Sequence, residues 1–215
     1  MTGVQTCALP ISVLPDVAFL EVSDAKDALR VTLREQRRHR HRHPVGHHDP
    51  TCEALTEHAL QAVAGMGAVA AYVSVGYEPC TRLLLEELRS QGVRVLLPVL
   101  GPRLSRSWRY FAGSDDLAER APGRPPEPSG QPLPPEEIGQ VEAVLVPALA
   151  VDRAGRRLGQ GGGWYDRVLP LRRPQAPVFA LVYGDELVTR PLPAEPHDVP
   201  VDAVITPTEW FLLQG

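Results

Sequence analysis

Five short apolar runs constrain this chain more than any other feature: AVAAYVSVG (68–76), VRVLLPVL (93–100), VEAVLVPALAVD (141–152), APVFALVYG (176–184) and VDAVITP (201–207). They are dense in small and β-branched residues and lack strict alternation, so each reads as a strand covered on both faces. Between the first two, TRLLLEELRSQG (81–92) reads as a helix closed by Gly92. Strand, helix, strand implies a parallel crossover. The pattern predicts one α/β domain over residues 23–215. Its core is a single doubly wound, mostly parallel sheet with helices on both faces, a Rossmann-like three-layer arrangement.

Upstream, SDAKDALRVTLREQRRHRHRH begins at Ser23, and Ala25, Leu29 and Leu33 recur at helical spacing. Ser23 or Asp24 can cap this amphipathic helix, whose other face is basic. A second helix is expected from about Pro50 to Ala64. Residues 1–12, MTGVQTCALPIS, have no period and resemble translated sequencing-adapter sequence, so they are set aside as an artefactual or disordered tail. Residues 113–139 are rich in proline and read as a surface excursion without regular structure.

Composition excludes several classes. With 22 basic and 26 acidic side chains and a net charge of -4, bulk charge calls for neither a nucleic-acid nor a membrane partner, and any anion site must be local. Cys7, Cys52 and Cys80 are odd in number and lack CxxC spacing, which indicates neither a disulfide framework nor a zinc knuckle and fits a reducing cytoplasm. No apolar run approaches the roughly 20 residues that span a bilayer. A cytoplasmic monomer is the expectation.

The segment richest in chemistry is RLGQGGGWYD, Arg157 to Asp166. Three consecutive glycines after a buried strand leave the backbone without Cβ cover, so phosphates can approach N–H groups of the loop and of the helix expected to follow. Arg157 adds a bidentate phosphate donor, and Asp166 offers a hard oxygen suited to magnesium. The spacing matches neither GxxxxGK[ST] nor GxGxxG, so neither a Walker-type ATPase nor a dinucleotide site is indicated.

VPALAVDRAGRRLGQGGGWYDRVL resembles the signature of the 5-formyltetrahydrofolate cyclo-ligase (5,10-methenyltetrahydrofolate synthetase) family, R-L-G-x-G-G-G-Y-Y-D-R. PAEPHDVPVDAVITP is similar to that family's closing P-x-E-x-H-D-x-x-V-D-x-V-x-T segment, and AKDALRVTLREQRR to its first helix, K-x-x-L-R-x-x-x-R-x-x-R-R. The three blocks stand in the family's order across residues 24–210.

The resemblance implies ATP- and Mg2+-dependent conversion of 5-formyltetrahydrofolate to 5,10-methenyltetrahydrofolate, with release of ADP and phosphate through an imidate phosphate. It implies that Lys26, Arg30, Arg157 and the loop Leu158, Gly159, Gln160, Gly161, Gly162, Gly163, Trp164 and Tyr165 contact ATP, with Lys26 and Arg157 acting catalytically. Asp166 and Asp198 would hold magnesium. Glu78, Trp108 and the loop from Gln160 to Trp164 would face the folate. Two positions depart from the pattern: Tyr77 stands for the usual glycine before Glu78, and Trp164 for the first tyrosine of GGGYYD.

Two other functions compete: a paralogue that keeps the nucleotide but has lost folate activity, and a nucleic-acid-binding module using Arg34 to Arg42. The arginine- and histidine-rich run 37–49 reads as a solvated helix end, His197 as a residue orienting its loop, and Cys80 as a partly buried inert thiol.

Overall fold

The computed structural model describes residues 14–40, 49–100, 105–120 and 124–213. The expectations for the N-terminal tail and for most of the histidine-rich run lie outside the described residues. A seven-stranded sheet forms the frame. It comprises β1 (Ala68–Ala70), β2 (Arg94–Leu100), β3 (Arg106–Tyr110), β4 (Ala143–Pro147), β7 (Val178–Leu181), β9 (Ala203–Ile205) and β10 (Trp210–Leu212), in the order β10-β9-β7-β4-β1-β2-β3. The five inner strands run parallel, and both edge strands are antiparallel.

Successive residues of each inner strand feed opposite cores. Val69, Leu97, Leu145 and Phe179 join Leu55, Leu84 and Leu88 of helices α2 (Pro50–Ala62) and α3 (Arg82–Ser90). Ala70, Leu96, Val144 and Val178 join Trp108, Ile138 and Leu169 on the other face. This double burial is why the runs lack alternation. Asp49 caps α2 by accepting from the Thr51 N–H at 2.9 Å.

Helix α1 (Val22–Arg40) packs elsewhere. Its Leu29 and Leu33 cover a second, three-stranded sheet, β6 (Arg157–Leu158), β5 (Ala150–Asp152) and β8 (Leu187–Val188), beside Leu149, Leu158 and Leu192. The run 141–152 is therefore two strands in two sheets, not one. Pro147 has no N–H to continue the ladder, and the Ala148 carbonyl turns to accept from the Arg37 guanidinium.

The run 68–76 departs similarly. Only Ala68–Ala70 is strand, because Ser74 and Thr81 draw the rest into a loop: the Thr81 hydroxyl donates to the Tyr72 carbonyl at 2.7 Å and accepts from the Ser74 N–H at 2.9 Å. The proline-rich stretch is also more ordered than its composition suggests. Trp108 and Leu133 exchange backbone hydrogen bonds, as do Ala118 and Glu127, and Glu127 and Ile138 are buried. Its prolines limit pairing to single bridges. Cys52 and Cys80, expected as free thiols, form a disulfide joining the first turn of α2 to the loop before α3. With these two cysteines paired, the cysteines no longer point to a reducing compartment. Among the described residues, no helix is long and apolar enough to cross a membrane.

Candidate active site

The strand order reverses direction at β1. Its crossover through α3 leads to β2 on one side, while β4 lies on the other. Ligands of open α/β sheets bind in the crevice beyond such a switch point. Here the chain leaves β1 into the loop carrying Glu78, and leaves β4 at Pro147. Both lie at the walls of two adjoining cavities.

The smaller cavity, about 240 Å³, is lined by Lys26, Arg30, Arg157, the loop from Leu158 to Asp166, and Glu195, His197 and Asp198. Loop geometry explains the glycines. Gly161 has φ of +98°, and a Cβ there would stand 3.4 Å from the Arg30 guanidinium. Gly155, which the sequence did not mark as special, has φ of +77°, and the Val201 carbonyl occupies the space a side chain would need: a Cβ would meet that oxygen at 2.4 Å. That close approach, with the Val201 N–H bonded to the Gly155 carbonyl, anchors the C-terminal side of the Glu195–Asp198 segment against the loop. The expected helix after the glycines is only α4, Trp164–Val168, so the loop amides themselves make the cradle.

Side chains from α1 align along this loop at intervals of four. Arg30 Nε donates to the Gly159 carbonyl at 3.0 Å, and Arg34 donates to the Gln160 carbonyl at 2.8 Å. Lys26, only 5% exposed, donates to Asp198 at 2.6 Å and to Glu195 at 2.7 Å. Burial pulls its pKa down, but the hydrogen bonds and charges of the two carboxylates prevail and hold the ammonium above its ordinary value. Burial likewise pushes Asp198 up, and the Lys26 contact reverses it, so the carboxyl is held low. Glu195 was not singled out in the sequence; nothing in its spacing shows that it meets a lysine 169 residues away.

Arg157 donates to Asp166 Oδ1 at 2.8 Å, and the Val199 N–H reaches the same oxygen at 3.4 Å. Asp166 Oδ2 and Asp198 Oδ1 take no hydrogen bond among the described residues, and Glu195, His197 and Asp198 place ligand atoms within 4.8 Å of one another. Such hard oxygens fit a magnesium ion.

The larger cavity, about 740 Å³, has apolar walls from Tyr72, Val75, Tyr77, Pro98 and Leu149, with Glu78 as a carboxyl among them. Its size and lining suit a heterocyclic ligand. Glu78 accepts from the Val75 N–H at 3.1 Å and from Gln160 at 3.2 Å, yet burial outweighs both and raises its pKa. Pro125, Pro126 and Arg124 complete the wall, a contribution from the proline-rich stretch that the sequence concealed.

The structure brings together every expected site residue except Trp108. It is fully buried on β3, lines neither cavity, and stacks edge-on behind Trp164 at 4.6 Å between ring centroids. It supports the loop instead of facing a ligand. Gly161, Gly162 and Gly163 line only the smaller cavity, whereas Gln160, Trp164 and Tyr165 line both. Three residues of the cavity walls carry buried side-chain atoms with no hydrogen-bond partner among the described residues: Arg157 Nε, Tyr165 Oη and Arg37 Nη1.

The 5-formyltetrahydrofolate cyclo-ligase family model matches residues 22–207. A relative named 5-formyltetrahydrofolate cyclo-ligase from Mycolicibacterium smegmatis is 48% identical over 145 residues, 65% of this chain and 73% of its own. The Escherichia coli K12 protein of that name is 32% identical over 149 residues, 66% of this chain and 80% of its own. The fold is that of the 5,10-methenyltetrahydrofolate synthetase from Aquifex aeolicus, with a TM-score of 0.66 at 24% identity, covering 91% of this chain and 94% of that one. With the match running from α1 through β9 and spanning both cavities, the chain belongs to the 5-formyltetrahydrofolate cyclo-ligase family.

Proposed function

We propose that the protein converts 5-formyltetrahydrofolate to 5,10-methenyltetrahydrofolate at the expense of ATP, with release of ADP and phosphate. The observation that carries this reading is the pair of cavities meeting at Gln160, Trp164 and Tyr165, the smaller glycine-lined with Lys26, Arg30 and Arg157, the larger mostly apolar with Glu78, Glu127 and four arginines in its wall. The triphosphate belongs in the first and the pterin in the second. Their reacting ends then meet at the shared wall, which is the alignment an in-line phosphoryl transfer requires.

The formyl oxygen of an amide is a poor leaving group. In the first step it forms a bond to the γ-phosphorus as the bond from that phosphorus to ADP breaks. In the second, nitrogen 10 attacks the formyl carbon, phosphate leaves with the former formyl oxygen, and the nitrogen 10 proton is lost. Lys26, Arg30, Arg157 and the loop amides bind and orient the phosphates and balance their charge. Asp166 and Asp198 would hold magnesium, which when bound neutralises phosphate oxygens. Glu78 orients the pterin by accepting from its N–H groups.

Arg34, Arg37 and Arg40 are engaged with Gln160, Glu186 and Asp185, so this part of the basic edge of α1 is tied to the loop and the fold. A monomeric state completes the proposal. The deciding experiment is the growth of methenyltetrahydrofolate absorbance from 5-formyltetrahydrofolate, ATP and magnesium. Arg157→Ala and Asp166→Ala should each lower kcat/KM by at least ~10²-fold. No turnover by the wild-type protein, or near wild-type rates in both variants, would overturn the assignment.

A further inference from the structure

We propose that the Tyr165 hydroxyl donates the hydrogen bond that fixes the formyl oxygen at the seam between the two cavities, making Tyr165 a side-chain determinant of the formyl group and not only a backbone contact to nucleotide. The inference rests on the folate reading above. Three observations support it.

First, the residue is in the right place. Tyr165 lines both cavities, and its ring is held by the Trp164 edge at 5.0 Å and by the Arg157 guanidinium at 5.8 Å, itself fixed by Asp166. Second, its hydroxyl takes no hydrogen bond among the described residues: the residue is only 9% exposed, and its Oη is among the buried polar atoms without a partner. A buried hydroxyl without a partner destabilises a fold, and such groups in native proteins call for an explanation, of which a ligand atom is one. Tyr72, by contrast, uses its hydroxyl on the Pro79 carbonyl.

Third, a tyrosine hydroxyl carries a proton to donate. A donor needs an acceptor with a lone pair to spare. An amide oxygen has two. With one directed to Tyr165, the other is left toward the phosphate cavity, where the phosphorus must arrive. The phosphates are already supplied with donors by Arg30, Arg157 and the loop.

The test is Tyr165→Phe, which keeps the ring and removes one oxygen. Binding of two ligands to wild type and variant is compared by calorimetry: 5-formyltetrahydrofolate, which has the acceptor, and 5-methyltetrahydrofolate, which does not. The variant should bind the formyl compound about 10-fold more weakly and the methyl compound equally well, with kcat reduced about 10-fold or more and KM for ATP unchanged. The thermal midpoint of the ligand-free variant should equal or exceed that of wild type, since an unpaired hydroxyl has gone. Equal losses for both ligands would mean that the ring or the local fold is at stake, and no loss for either would mean that the hydroxyl points elsewhere; both overturn the proposal. If wild-type protein turns over the formyl substrate while the variant behaves in either way, the folate reading survives and this assignment alone fails.

Discussion

The basic edge of α1 ends in two ion-paired clusters that look alike in sequence and behave differently in the fold. At one end Lys26 meets Asp198 and Glu195, whose side chains are 19% and 38% exposed, at the wall of the small cavity. At the other, Arg37 meets Glu186 through two bonds of 2.8 Å, with the side chains 3% and 2% exposed, and Arg40 closes over Glu186 and the Tyr183 ring. The carboxylates of the first cluster are open to the cavity, and Glu186 of the second is closed off from solvent. Both cations are buried on one helix edge, but Lys26 pairs with carboxylates that solvent reaches at a cavity wall, whereas Arg37 latches α1 to the segment of the small sheet through a carboxylate that solvent does not reach.

The largest effect should come from the latch. Glu186→Ala leaves the Arg37 guanidinium buried without its carboxylate, and the urea midpoint should report a loss of about 3–5 kcal/mol. Lys26→Ala should lower kcat/KM by about 10²-fold, equivalent to about 2.7 kcal/mol of transition-state stabilisation, while its urea stability falls by less than about 2 kcal/mol because both partners keep access to water. If Lys26→Ala proved as destabilising as Glu186→Ala and the remaining folded enzyme were fully active, the two ends would not differ in kind. The pH dependence sharpens the point. Asp198 is held low, so its stabilisation is present above its ordinary value of 3.8 and is lost only as pH falls through the still lower folded value. Lys26 is held high, so its stabilisation is complete below 10.5 and is lost only as pH rises through the folded value. Neither should tilt stability across the neutral range.

These differences also mark what was legible in the sequence. The glycine loop could be read because an unbroken GGG after an apolar run has few other uses, and Lys26 and Arg30 because a four-residue spacing places them on one helical face. Glu195 and Glu186 could not, since their roles depend on contacts 169 and 149 residues distant. The inner strands of the main sheet were visible as solid apolar runs. The small sheet was not, because β4 and β5 are joined through Pro147 to Leu149 by residues as apolar as the strands themselves. Trp108 misled for a related reason: an aromatic near a site reads as ligand-facing, and only packing shows that it stands one layer behind Trp164.

The smallest expected effect tests whether the apolar cavity is built for its ligand at some expense to the fold. Glu78 is raised above its ordinary value of 4.5 by burial, against the hydrogen bonds from Val75 and Gln160 and the charge of Arg37. A carboxyl bound to its proton more tightly when folded lowers stability as pH climbs from 4.5 through the folded value, and that deficit persists at neutral pH. Glu78→Gln should therefore match or exceed wild type in thermal midpoint at pH 7 and flatten that slope. Activity should move the other way. An ionised Glu78 accepting from pterin N–H groups gives kcat/KM an acid limb at a pH above 4.5, whereas the glutamine variant should be about 10-fold slower at neutral pH and lack the limb. A variant that loses both stability and activity would make Glu78 a structural residue of the loop, held by Val75 and Gln160 for its own sake. Opposite signs would mean that the carboxyl is kept half-desolvated because the folate, and not the fold, is its partner.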